Sequence, residues 1–241
     1  MNSTLLCTRL MLLAALLAAC SPQTAPTTPT TAAASESAGA AASQPATAGN
    51  VERELAPADL GWIAFIANEG GRQDVRLIRP DGSGEVNLTG KLPHVSADAP
   101  AWSPDGSLIA FDGVLNADTL DDVFLLTVNE HPEQTQLTTQ AGPDCYASFS
   151  PDGTQIVYRS ERDSNSDLYV IGLDGEDIAR LTDDPLADYE PAWSPDGKQI
   201  AFVSGRTGNS EIFVMDADGG NLRQLTDLRG LDWRPAWSPD G

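Results

Sequence analysis

An aromatic residue followed by Ser-Pro-Asp-Gly occurs four times in this chain of 241 residues. The aromatic residues are Trp102, Phe149, Trp193 and Trp237, separated by 47, 44 and 44 residues. A nearly constant period of this length is typical of repeated supersecondary units, which bury their apolar faces by stacking on one another. The period therefore restricts the fold to repeat architectures before any secondary structure is assigned.

Short apolar runs follow the first three pentapeptides and predict β-strands. In the third unit these runs are "QIAFV" from residue 199 and "EIFVMDA" from residue 211, and the last strand closes on Leu225-Thr226. The runs are rich in β-branched and aromatic residues, and Pro and Gly separate them. Each unit is therefore expected to contain four short strands.

The strands carry apolar residues at consecutive positions, as at 200–203. A sheet with one solvated face would alternate apolar and polar residues, whereas sheets packed on both faces need not. Radially packed sheets satisfy this pattern, so we predict an all-β fold, a β-propeller of four-stranded blades. Four repeat units are visible, and they are either a whole propeller or part of a larger, truncated one.

The repeated pentapeptide has a structural explanation. Pro, Asp and Gly suit successive positions of a tight turn, so the segment reverses the chain between the first two strands of a unit. The aromatic residue then ends the first strand and would be buried between neighbouring blades. We expect four structural anchors of this kind: Trp102, Phe149, Trp193 and Trp237.

Residues 191–226, "PAWSPDGKQIAFVSGRTGNSEIFVMDADGGNLRQLT", resemble the repeat of TolB-type β-propellers, a WD-like family of exported bacterial propellers. The resemblance extends over most of the chain after residue 50. It implies an extracytoplasmic protein that contacts other envelope proteins, such as peptidoglycan-associated lipoproteins. TolB proteins carry an α/β domain ahead of the propeller and are soluble in the periplasm, and the first fifty residues of this chain depart from that pattern.

Those first residues predict export and membrane anchoring. Arg9 precedes an apolar run that is too short to span a bilayer and suits a signal peptide at 1–19. "LAAC", ending at Cys20, resembles the bacterial lipobox, in which the Cys is lipidated and becomes the mature N-terminus. An ordinary secretory signal with an incidental Cys is the alternative.

The segment 20–50 is composed largely of Ala, Thr, Ser and Pro and has no aromatic residue. Such a composition cannot bury enough apolar surface to order itself, so we expect a disordered tether. The propeller would then occupy 51–241. Together these predictions describe a membrane-anchored lipoprotein that faces the periplasm or the cell exterior.

The chain is strongly acidic, with a formal net charge of -21. This charge repels phosphate backbones, so no nucleic-acid partner is expected. Envelope proteins or peptides, especially basic ones, are better candidates, and the N-terminal lipid would supply the contact with the membrane. The acidity could alternatively serve solubility alone.

The two ends of the repeat region are incomplete and complementary. Residues 61–101 contain a unit without its first strand, and the last residues supply a first strand without its unit. One interpretation closes a four-bladed ring by pairing 235–237 with 62–65, which removes the exposed edge. The other interpretation is truncation, with further blades after Gly241.

The segments that enter the first strands predict a binding site at the mouth of a central channel. Their acidic and aromatic side chains could hold a cation or a basic peptide. Alternatively, each Asp only accepts hydrogen bonds within its own turn. The candidate residues are Asp98, Asp144, Tyr146, Asp188, Tyr189, Glu190, Asp232, Trp233 and Arg234.

Motifs for catalysis, metals and cofactors are missing from the sequence. It has no G-x-S-x-G, H-E-x-x-H or Gly-rich phosphate loop, and "DSNSD" at 163–167 lacks the Gly and Glu of a calcium loop. We expect no catalytic residue, metal or cofactor, Cys145 as a small buried residue, and His94 and His131 as solvated loop residues.

Two functions remain open at this stage. The first is a lipid-anchored, extracytoplasmic protein-binding scaffold at the cell envelope, which is not itself an enzyme. The second is the gating or substrate-selecting propeller of an exported prolyl-peptidase-like hydrolase whose catalytic domain would follow residue 241. A G-x-S-x-G segment with a downstream Asp and His would identify the second.

Overall fold

The computed structural model describes residues 61–94, 96–116 and 119–241. Within these ranges the chain forms fifteen β-strands. The predicted signal peptide 1–19, Cys20 and the tether 20–50 lie outside the described residues, as does the start of the predicted domain 51–241. The strands are β1 (Ile63–Glu69), β2 (Arg72–Ile78), β3 (Val86–Asn87), β4 (Ser96–Trp102), β5 (Leu108–Val114), β6 (Asp122–Thr127), β7 (Gln134–Gln136), β8 (Asp144–Phe149), β9 (Gln155–Ser160), β10 (Asp167–Gly172), β11 (Ala179–Arg180), β12 (Asp188–Trp193), β13 (Gln199–Ser204), β14 (Glu211–Asp216) and β15 (Arg223–Gln224).

The strands form four antiparallel sheets in chain order. Sheet 1 is β1-β2-β3, sheet 2 is β4-β5-β6-β7, sheet 3 is β8-β9-β10-β11 and sheet 4 is β12-β13-β14-β15. The first strands β4, β8 and β12 contact one another in succession, so they lie at the inner side of the arc. This arrangement confirms the prediction of an all-β propeller with four-stranded blades, with one three-stranded sheet at the beginning.

The pentapeptide forms the expected turn between the first and second strands of a sheet. In sheet 3 the N–H of Gly153 donates to the carbonyl of Ser150 at 2.9 Å. Gly153 has φ +70°, which an L-residue rarely adopts. Ser150 also donates from Oγ to Asp152 Oδ1 at 2.7 Å, so its side chain braces the turn. Sheets 2 and 4 repeat both contacts.

A threonine after the last strand of each sheet bonds to the strand next to that last one. Thr138 Oγ1 accepts the N–H of Val123 at 2.9 Å. Thr89, Thr182 and Thr226 make the same contact in the other three sheets. The repeated Leu-Thr of the sequence is therefore a hydrogen-bonding element, because the hydroxyl satisfies a backbone donor where the short last strand ends.

The hydrophobic core lies between successive sheets. The cluster between sheets 2 and 3 includes Val123, Leu137, Phe149 and Ile156. Two equivalent clusters join sheet 1 to sheet 2 and sheet 3 to sheet 4. At about 1.5–3 kcal/mol for each fully buried large apolar side chain, this stacking is the main stabilising term of the repeat.

The last residues of the chain continue the arc beside sheet 4. The N–H of Arg234 donates to Glu190 Oε2 at 2.7 Å, and Trp237 Nε1 donates to the carbonyl of Ala192 at 3.0 Å. Both acceptors belong to β12. The segment 235–237 therefore contacts the preceding first strand, and the described hydrogen bonds do not pair it with 62–65 as the four-bladed closure required.

The environment of His94 differs from the prediction of a solvated loop residue. Only 5% of His94 is exposed. Its Nδ1 lies 3.2 Å from Arg72 Nη2, and its Nε2 lies 3.1 Å from both the carbonyl of Gln73 and Asp74 Oδ1. Burial, together with the charge of Arg72, lowers the pKa of His94, so this ring is a neutral, structural one. His131 is exposed and Cys145 is fully buried, as expected.

No segment of the described ranges is a helix of the length and apolar composition that a bilayer crossing requires.

Candidate functional site: the axial cavity

A cavity of about 420 Å³ opens where the first strands of the sheets meet. Its lining comes from the same short segment of each repeat, which always includes the residues two and three positions before the aromatic anchor. We call it the axial cavity. It is lined by Asp98, Ala99, Pro100, Ala101, Tyr146, Ala147, Glu190, Pro191, Arg234 and Pro235.

A bulge in each first strand turns these residues toward the cavity. The pairing of β4 with β5 shifts between Asp98 and Ala101, and β8 and β12 show the same irregularity. The residue three positions before each aromatic anchor has positive φ: 46° at Ala99, 59° at Tyr146, 53° at Glu190 and 55° at Arg234. Non-glycine residues rarely adopt this conformation, and bulges often redirect side chains beside functional sites.

Carboxylates hold two of these positive-φ positions in place, the bulge at Tyr146 and the segment at Arg234. Tyr146 donates its backbone N–H to both oxygens of Asp112, at 3.0 and 3.1 Å. Arg234 donates its N–H to Glu190 Oε2 at 2.7 Å. In both contacts a carboxylate of one repeat accepts the N–H of the positive-φ residue of the next. The lining of the cavity is therefore fixed by hydrogen bonds between repeats.

Acidic side chains concentrate beneath the cavity. Asp112 is 3% exposed and faces Asp98 across the pair β4–β5. Burial raises the pKa of Asp112 well above its usual value, and the charges of Asp121 and Asp98 add to this effect. Burial also raises the pKa of Asp121 to about 6. The guanidinium of Arg159 opposes both shifts.

The predicted site residues Asp144 and Asp188 do not line the cavity. Both carboxylates are fully buried at the start of their strands. Asp188 lies 2.9 and 3.0 Å from Arg206 Nη2, while Asp144 Oδ2 lies 3.5 Å from Arg162 Nη2. These contacts lie within single sheets, so in this structure the two aspartates brace the fold outside the lining of the axial cavity.

Three further predicted residues are neighbours of the lining residues in sequence but do not line the cavity themselves: Tyr189, Asp232 and Trp233. The rings of Tyr189 and Trp233 pack with centroids 5.8 Å apart, and the Tyr189 hydroxyl lies 2.5 Å from Ser210 Oγ. The N–H of Asp232 donates to the carbonyl of Ser210 at 2.8 Å. Of the nine predicted residues, four line the cavity: Asp98, Tyr146, Glu190 and Arg234.

Three of the predicted anchors end first strands and touch the clusters between sheets. Phe149 is buried in its cluster, and Trp102 and Trp193 are partly buried against theirs. Trp237 is half-buried and lies outside a strand, held by its bond to Ala192.

Asp112, Asp121 and Arg159 were missed by sequence reasoning. Asp112 occupies a second-strand position that holds Arg159 in sheet 3 and Val203 in sheet 4. An ionisable residue inside an otherwise apolar run was the available signal. The contact of Asp112 with Tyr146 spans 34 residues and cannot be read from spacing.

Chemically, the cavity offers carboxylates, one guanidinium, one phenol and proline rings to an incoming group. Among the residues that the structure describes, no group of three or more His, Cys, Asp or Glu side chains is arranged to hold a metal ion. Asp98 and Glu190 could accept hydrogen bonds from a guanidinium or ammonium group. Burial raises the pKa of Tyr146 to about 12, so its hydroxyl remains protonated and can donate or accept.

Comparison with known proteins gives matches over the whole propeller region. The family model for the TolB β-propeller domain matches residues 54–185 and 183–241. An uncharacterized protein of Agrobacterium fabrum is 30% identical over 61% of this chain and 48% of its own length. The Tol-Pal system protein TolB of Bordetella pertussis is 32% identical over 48% of this chain and 35% of its own length. The chain thus spans about half or less of these curated relatives.

Solved structures resemble the described fold. A putative TolB from Agrobacterium tumefaciens superposes with a TM-score of 0.65 at 29% identity, covering 74% of this chain and 66% of the other. TolB from Acinetobacter baumannii gives a TM-score of 0.64 at 24% identity, covering 77% of this chain and 46% of the other. With the family model matching nearly every residue after 53, the chain belongs to the TolB β-propeller domain family.

Proposed function

We propose that this protein is a lipid-anchored, extracytoplasmic β-propeller that acts as a protein-binding scaffold at the cell envelope. The observation that carries the proposal is the axial cavity, which is lined by bulged residues of successive repeats. Four strained backbone positions at equivalent places are costly to maintain for packing alone. They present side chains at a concave surface, where binding sites usually form.

The family supports a role at the envelope. One curated relative is named as a component of the Tol-Pal system. We infer by analogy that the partners of this chain are also envelope proteins or peptides. This chain spans only 35% of that relative's length, so its partner must be identified by experiments on this protein.

The charge around the cavity favours a basic partner. Asp98 and Glu190 line it, and Asp112 lies beneath it. The guanidinium of Arg234 lies 3.7 Å from Glu190 and offsets part of this charge. With a chain charge of -21, the surface should attract a cationic segment and repel nucleic acid.

Membrane attachment is proposed through Cys20, with 1–19 removed as a signal peptide and 20–50 acting as a tether to the propeller. Growing cells with labelled palmitate tests this step. The wild-type protein should incorporate label into the membrane fraction, whereas Cys20→Ala should not. Equal labelling of both proteins, or none of either, would contradict the anchor.

The binding function is tested by comparing variants of the full protein as affinity baits. Asp98→Lys reverses a charge at the cavity, and Asp177→Lys makes the same change at an exposed outer turn. We expect envelope proteins retained by the wild type and by Asp177→Lys to be lost with Asp98→Lys, provided circular dichroism shows equal folding. Retention of the same proteins by all three baits would exclude the cavity as the recognition surface.

The alternative of a prolyl-peptidase-like hydrolase remains a prediction. Proline-specific cleavage of a reporter peptide by the complete protein, and its loss on treatment with a serine-reactive inhibitor, would support it.

A further inference from the structure

Asp112 connects two sheets directly below the axial cavity. It lies in β5 of sheet 2, and its two oxygens accept the N–H of Tyr146 in β8 of sheet 3. Tyr146 lines the cavity and has φ +59°. The position of this lining residue therefore depends on the state of a buried carboxyl group.

A second acidic residue holds the same strand. The carbonyl of Asp121 accepts the N–H of Asp144 at 2.7 Å, two residues before Tyr146. Asp121 is itself 6% exposed. The beginning of β8 is thus attached to sheet 2 at two points, one through the side chain and one through the backbone of an aspartate.

The surroundings of Asp112 contain more negative than positive groups. Every strand packed beside β5, and the segment before β6, contributes an ionisable side chain. These groups are Asp98 on β4, Asp121 before β6, Asp122 on β6, Asp144 and Tyr146 on β8, and Arg159 on β9. Arg159 is 3% exposed and also contacts Glu161, so its charge is shared.

Several buried carboxyl groups around one guanidinium cannot all ionise without cost. Burial raises the pKa of Asp112 and brings those of Asp121 and Asp122 to about 6. Protons therefore leave this cluster over a range that includes mildly acidic pH. Each proton lost adds negative charge beneath the cavity.

We propose that Asp112 and Asp121 make the axial cavity a pH-dependent binding site that takes up a cationic side chain of a partner at neutral pH and releases it in acid. The inference rests on the proposed function of this cavity as the recognition surface for a basic partner. At neutral pH the ionised Asp121 and Asp122 attract the cation, and loss of the proton from Asp112 makes its bond to Tyr146 a charge-assisted one. Protonation removes the negative charge of these carboxyl groups and weakens the hydrogen bond from the Tyr146 N–H to Asp112 that holds the bulge.

The contact between Asp112 and the Tyr146 N–H can be tested without any ligand. The amide nitrogen shift of Tyr146, followed by NMR on the full protein, should change as the pH is lowered, because the Asp112 carboxyl that accepts this N–H takes up a proton and burial raises the pKa of that carboxyl. Asp121→Asn removes a neighbouring charge and should move the midpoint of this change lower. Asp177→Asn, an exposed change of equal charge, should leave it unchanged. An amide that does not respond between about pH 5 and 8 would overturn the proposal.

Binding is tested with acetyl-arginine amide as the probe and acetyl-norleucine amide as its neutral counterpart. The arginine probe should perturb Tyr146 and Glu190, and its affinity should fall at least about tenfold between pH 7.5 and 5. Asp112→Asn and Asp121→Asn should each reduce this pH dependence. Equal affinity at both pH values would overturn the switch but leave the binding function intact. A Tyr146 amide that titrates while the probe never binds would instead contradict the basic partner.

Discussion

Arg206 reaches back across sheet 4 to the fully buried carboxylate of Asp188, with Nη2 2.9 and 3.0 Å from its two oxygens. The guanidinium also lies 5.0 Å from the ring of Phe213. The guanidinium of Arg206 therefore compensates the buried carboxylate of Asp188, the first residue of β12. Removing the guanidinium should therefore lower the free energy of unfolding by an amount that depends on pH.

Arg206→Met keeps the apolar contact and removes the cation. We expect the free energy of unfolding at pH 7.5 to fall by about 3–5 kcal/mol, because a buried carboxylate loses its partner. Burial already raises the pKa of Asp188, and this change would raise it further, so the loss should shrink toward pH 4.5 as the carboxyl binds a proton. Chemical denaturation measures both values. Arg223→Met, at an exposed site in the same sheet, should change little.

Asp121→Asn should stabilise the protein at neutral pH. The folded-state pKa of Asp121 is raised to about 6, so the folded protein binds this proton more tightly than the unfolded chain does. That stabilisation is complete below the unfolded pKa and is lost as pH rises through the folded one. The variant should gain up to about 2–3 kcal/mol at pH 7.5 and much less at pH 4. A variant less stable than the wild type at pH 7.5 would contradict the burial of an ionised group.

Leu137 and Leu225 occupy the same position in sheets 2 and 4, but 7% of Leu137 is exposed against 49% of Leu225. Leu137→Ala should therefore lower the free energy of unfolding by about 2–5 kcal/mol. Leu225→Ala should cost less than about 1 kcal/mol in the same denaturation experiment, because little apolar surface is lost from the core. Equal costs would show that another surface covers Leu225 in solution.

Thr138→Val tests the hydrogen bond that ends each sheet. Valine has nearly the same shape but leaves the N–H of Val123 without its 2.9 Å acceptor. We expect a loss of about 1–3 kcal/mol, the cost of a buried unsatisfied donor. Thr135→Val, at an exposed site in β7, provides the control. Similar stabilities for the two variants would mean that the Leu-Thr repeat has no structural role.

The sequence was sufficient to predict the sheets and the turns between them, because their determinants are local. Gly153 must have positive φ, and Ser150 reaches Asp152 only two residues away. The cavity was less predictable. A bulge decides whether Tyr146 or its neighbour faces inward, and that bulge depends on Asp112, 34 residues earlier. His94 was placed wrongly for the same reason, since Arg72 and Asp74 become its partners only in the folded sheet.

The axial cavity is expected to contact a partner protein in the cell envelope. The most direct measurement places a photoreactive amino acid at position 146 of the full protein in cells, and in a second strain at position 177. Irradiation should give a discrete protein adduct from position 146 that disappears with Asp98→Lys and is absent from position 177. No adduct at 146, or the same adduct from both positions, would contradict the account.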